Sequence, residues 1–186
     1  MLPVYFMSAN QLSYSIQNKD LIVAGKTPYN KMYRLNRCVL ASAQGPLILT
    51  VPLLHGRNQR ALLNQIKLDN HSKWRREHIN SMRTVYGKAP FFIYYADTIF
   101  ELINREESYL LTYNVTIINR IFDLIHYPGR VSIAEEELPI IRDKANLSNQ
   151  IRYHQIFESK TGFISDCSIL DVLFNYGPGS LNLLMK

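Results

Sequence analysis

The chain has 186 residues, a net charge of +6 and a hydrophobic fraction of 47%. These values fit one domain over residues 1–186, with a core large enough to hold without disulfide or metal staples. No apolar run approaches the length of a membrane span, and no low-complexity tract or repeat occurs, so a disordered or membrane-spanning chain is excluded.

The cationic excess favours anionic partners: phosphate-bearing metabolites, nucleic acid or an anionic surface. Cys38 and Cys167 stand far apart in sequence. They read as reduced core thiols of a cytoplasmic protein rather than as a disulfide framework or a zinc site. Met1 to Phe6 is apolar but has no basic flank, so no signal peptide is expected.

Leu2 to Phe6 reads as a short buried strand. Ser8 to Ile16 is a polar turn able to start a helix, with Leu12 and Ile16 at helical spacing. Asp20 to Ala24 is a second strand, closed by Gly25 and Pro28. A third strand runs from Met32 to Ala41. After the turn Gln44-Gly45-Pro46 a fourth runs from Leu47 to Leu54, which suggests a hairpin. His55 to Arg60 is a basic loop, and Ile66 to Leu68 one more short strand.

Ser72 is a candidate cap for a helix from Lys73 to about Tyr86, with Trp74, His78, Met82 and Val85 on one stripe and Gly87 at its end. Phe91 to Asn104 and Ser108 to His126 read as further helices, the second amphipathic. Arg130 to Ala134 is a strand candidate, and Glu135 to Arg152 the least structured stretch. Ser168-Ile-Leu-Asp171 has capping-box spacing and opens a short helix to Asn175. Gly177-Pro178 stops it, and Ser180 starts a last turn. Strands first and helices later predict an α/β or α+β fold, with a central mixed sheet covered by helices.

The densest chemistry lies in Tyr29 to Arg37, Tyr-Asn-Lys-Met-Tyr-Arg-Leu-Asn-Arg. Three cations, two phenols and two amides precede a β-rich run. Arg offers paired planar donors and Lys a point charge, which suits an anionic ligand. A solvated cationic edge strand explains the same residues.

No glycine-rich phosphate loop is present. The histidines lack the spacing of a metal site, so no metal is expected. Ser165, Cys167 and Ser168 lie near Asp166 and Asp171 without a nucleophile elbow, and read as capping and turn residues. Trp74 and His78 share a helix face. His78 suits a general base near neutral pH, or a core histidine bonded beneath a packed tryptophan. Arg75, Arg76, Arg83 and Lys88 with Tyr86 outline a nucleic-acid surface, but no binding module accompanies them and solvated helix charge accounts for them.

Taken in order, several segments resemble the WbqC-like proteins of bacteria over nearly the whole chain. They are Pro3 to Phe6, Tyr29 to Arg37, Leu49 to Pro52, Ile66 to Leu68 with Trp74 and His78, Tyr86 to Tyr95, and Phe163 through Ser168–Asn175 to Ser180. After Tyr5-Phe6 the family tends toward Pro-Pro and Ile-Gln-Tyr, where this chain has Met-Ser-Ala-Asn-Gln-Leu-Ser-Tyr14.

The resemblance implies a role in surface-polysaccharide (O-antigen) biosynthesis, as a glycine or aminoacyl transferase forming an amide on an amino sugar or sugar nucleotide. In that role Lys31, Arg34 and Arg37, beside Tyr29, would hold a diphosphate or carboxylate, and Asn36 would orient a hydroxyl or amide. His78 would accept a proton, Trp74 or Tyr86 would carry the sugar or base, and Asp171 and Asn175 would close or brace the site. A non-catalytic protein binding an anionic metabolite is the alternative. The cofactor is left open.

Overall fold

The structure is a computed structural model that describes residues 1–134 and 150–186. Most of the stretch expected to be least structured, residues 135–149, lies outside the described residues. The fold is α+β. Helix α1 (Ala9–Gln17) leads to strand β1 (Ile22–Ala24), and a hairpin of β2 (Arg37–Ser42) and β3 (Gly45–Thr50) follows. Three longer helices come next, α2 (Trp74–Tyr86), α3 (Phe92–Asn104) and α4 (Leu110–Leu124), and then β4 (Ser132–Ala134). Short helices α5 (Glu158–Thr161), α6 (Ile169–Tyr176) and α7 (Ser180–Leu184) close the chain.

The described strands form two small ladders instead of one continuous sheet. β1 and β4 pair in parallel, with Ile22 opposite Ser132. β2 and β3 pair antiparallel, from Arg37 opposite Thr50 to Ser42 opposite Gly45. The hairpin turns at Gly45, whose φ of +103° suits a residue without a Cβ.

Two helices are apolar nearly all round and run through the core. On α4, Leu110, Leu111, Tyr113, Val115, Ile117, Ile118, Ile121 and Phe122 are all buried, and α6 buries everything from Ile169 to Phe174. Among the described residues no helix is long and apolar enough to cross a membrane.

Several boundaries differ from the sequence expectation, and three of them bear on the site or its support. Leu2 to Phe6 forms no ladder, and Tyr5 and Phe6 lie in a turn. Pro3 has no N–H to give, and Phe6 bends at φ 38°. The strand expected from Met32 begins only at Arg37. Asn30 accepts the Met32 N–H at 2.9 Å and caps a 3-10 turn over Lys31–Tyr33, drawing the chain away from a ladder. Helix α2 starts from Lys73, and neither that residue nor Ser72 gives it a side-chain cap.

Candidate functional site

Tyr29 to Arg37 forms a compact knuckle at the mouth of β2. After the 3-10 turn, Arg34 takes φ 51° and ψ 35°, a left-handed conformation uncommon for a residue with a side chain. Such strain persists only where surrounding contacts enforce it, and it concentrates at functional sites. Lys31 and Arg34 are exposed and Arg37 half-buried. Lys31 Nζ bonds Asn58 Oδ1 at 2.9 Å, which joins the knuckle to the basic loop. None of the three cations makes an ion pair among the described residues. Tyr29 is buried at the base. Burial raises its phenol pKa, and the nearby Arg37 charge partly opposes that.

The knuckle is fastened from beneath. Asn36 is buried; its Nδ2 donates to Val51 O at 2.7 Å and its carbonyl accepts the Val51 N–H at 2.8 Å. The Leu35 carbonyl accepts from the Tyr5 N–H at 2.9 Å and from Asn114 Nδ2 at 2.9 Å. The same Asn114 amide group donates to Pro3 O at 2.8 Å. Tyr29 N–H donates to Ala61 O at 2.8 Å. The cations thus stand on a backbone bonded to Val51, Tyr5, Asn114 and Ala61, which lowers the entropy lost in ordering that backbone around a ligand.

Trp74 and His78 lie in the core below this floor. His78 is 3% exposed, and its Nδ1 lies 3.0 Å from the Tyr5 hydroxyl. Burial lowers its pKa to about 4, and the Thr50 carbonyl beside it opposes that only in part. The imidazole is therefore neutral at physiological pH. Trp74 packs against the rings of His78, Tyr5 and Tyr113, its Nε1 donates to Asp69 O at 3.2 Å, and the Arg75 guanidinium covers it 4.6 Å away. It presents no open face. Because Thr50 on β3 is the ladder partner of Arg37, the histidine bears on the hairpin that carries the knuckle.

A second buried polar group gathers around Asp171. Gln155 Nε2 donates to Asp171 Oδ2 at 2.8 Å, and Gln155 also exchanges bonds with the Ile164 backbone at 2.8 and 2.9 Å. Burial raises the Asp171 pKa to about 6, against the opposing pull of Tyr153, Gln155 and Tyr86. Ser168 caps α6 through the Leu170 N–H, while Asp171 turns to Gln155. Asn175 donates to the Asp171 carbonyl at 2.7 Å, a bond within the helix. Tyr86 and Asp171 are thus brought together in the core, and Tyr86 is fully buried.

The model of the WbqC-like protein family matches residues 12–145. The chain belongs to that family. No curated protein and no solved structure matches it. The WbqC-like match covers the knuckle, the β2–β3 hairpin and helices α2 to α4, and leaves Pro3–Phe6, Asp171 and Asn175 outside it. Just after Phe6, Ser8 caps α1 with a capping box closed by Gln11. Tyr5, Asn114 and Gln155 join these groups without having stood out in the sequence. Asn114 carried a visible signal, an amide set between Leu111 and Ile118 on the apolar stripe of α4.

Proposed function

We propose that this WbqC-like protein binds an anionic, nucleotide-linked amino sugar at the Tyr29–Arg37 knuckle and transfers an acyl or aminoacyl group to its amine, in surface-polysaccharide biosynthesis. One observation carries the reading. Three cations without carboxylate partners among the described residues stand on a knuckle whose backbone is bonded from four sides. Paired guanidinium donors favour a diphosphate or carboxylate over a neutral sugar. In the reaction, the acyl carbon of the donor forms a bond to the sugar nitrogen while the donor's leaving group departs. A base must take the amine proton, and fixed donors must hold the oxyanion. In this assignment His78 and Trp74 brace the strand under Arg37, and Asp171 with Asn175 braces α6.

The burial of His78 favours a second reading, an anionic-metabolite-binding accessory protein without turnover. Calorimetric titration with a uridine-diphosphate amino sugar addresses the shared core. The double variant R34Q/R37Q is expected to weaken binding at least about tenfold, from two lost charge-assisted bonds, while leaving the unliganded melting temperature in place. Equal affinity in that variant would remove the knuckle as the site. Mass spectrometry of mixtures with ATP and amino-acid or acyl donors separates the two readings. An amide product supports the transferase, and binding without product supports the accessory protein.

A further inference from the structure

A groove of about 650 Å³ runs along α2 on residues that the proposed knuckle does not use. Lys73, Arg76, Asn80 and Arg83 line it at spacings of three, four and three, so they share one side of the helix. Asn70 and Asn104 close its other wall. No carboxylate lines the groove, and none of its cations makes an ion pair among the described residues.

The floor is rigid. Arg75 Nε donates to Ile103 O at 3.0 Å, and its NH2 group donates to Asn70 Oδ1 at 2.8 Å. Asn70 Nδ2 in turn donates to Glu107 O at 3.0 Å. Arg75 is therefore spent on tying the end of α3 to the turn before α2, and Lys73, Arg76 and Arg83 remain to meet a ligand. Arg83 lies with its guanidinium 5.0 Å from the Phe100 ring, which limits its freedom further.

We infer that this groove is a second anion site, separate from the knuckle, for a compact ligand bearing two or more phosphate groups. Three cations with no acid among them call for more than one negative charge, and the amides of Asn80 and Asn104 can donate to phosphate oxygens. Single-stranded nucleic acid fits less well. Its bases need aromatic platforms, yet Tyr86 is fully buried and no aromatic residue lines the groove.

Calorimetry with inorganic pyrophosphate at fixed ionic strength tests the inference. The wild type is expected to take up two equivalents. K73Q/R76Q is expected to lose one of them, with about tenfold or greater weakening, and R34Q/R37Q to lose the other. Wild-type stoichiometry and affinity in K73Q/R76Q would overturn the groove site, whatever happens at the knuckle. Loss of all binding in R34Q/R37Q alone would overturn it as well. If K73Q/R76Q abolishes binding of a single-stranded oligonucleotide that outcompetes pyrophosphate and weakens steeply with salt, the ligand class is wrong.

Discussion

Replacing Asn114 with alanine is expected to destabilise the protein by about 2–4 kcal/mol and to weaken anion binding at the knuckle. The amide lies at 0% exposure and donates to both Pro3 O and Leu35 O. Removing it leaves the Pro3 carbonyl without that donor, deprives Leu35 of one of two, and opens a small cavity in α4. Each buried acceptor left unpaired costs about 1–3 kcal/mol, and the cavity adds to that. The effect should reach the cations because Leu35 sits between Arg34 and Arg37. Hydrogen exchange at 34–37 should speed up in N114A, and ligand affinity should fall although no ligand contact has been removed. N114L separates the causes. It refills the volume and still lacks the donor, so full recovery of stability in N114L would assign the loss to the cavity and sink the hydrogen-bond account.

The difference between what the residues announced and what they hid follows from range. Helices α2, α3 and α4 were legible because periodic apolar stripes and local stops such as Gly87 act over a few residues. The chemistry of the knuckle was legible as well, since three cations in seven residues are a local fact. Its shape was not. The Asn30 cap is local, but Leu35 and Asn36, next to the left-handed Arg34, are held by Val51, Tyr5 and Asn114, all distant in sequence. The same limit applies to His78. Its place on an apolar stripe admitted a base or a core residue, and only the Tyr5 hydroxyl and the Thr50 carbonyl, 73 and 28 residues away, define its surroundings. Pairing of β1 with β4 crosses more than a hundred residues and had no signal in either three-residue strand.

His78 and Asp171 should oppose one another in the pH dependence of stability, so that single variants reveal slopes the wild type conceals. Burial raises Asp171 from 3.8 to about 6. Between those values the folded protein holds a proton that the unfolded chain has lost, and raising the pH lowers stability. Burial drops His78 from 6.5 to about 4. Over that interval the unfolded chain holds the proton and the folded protein does not, so raising the pH increases stability. Each contribution is about 3 kcal/mol when complete, and their signs are opposite over nearly the same window. D171N should leave the histidine term alone, and its unfolding free energy should rise by about 3 kcal/mol more than that of wild type between pH 4 and pH 6.5. H78Q should show the reverse trend, and the double variant should again match wild type. The remaining carboxylates contribute equally to every member of the set, so the differences isolate these two groups. Urea titrations at half-unit pH steps give the result. A D171N curve parallel to wild type would mean that Asp171 is charged in the fold throughout, and that the Tyr153, Gln155 and Tyr86 side chains offset its burial in full.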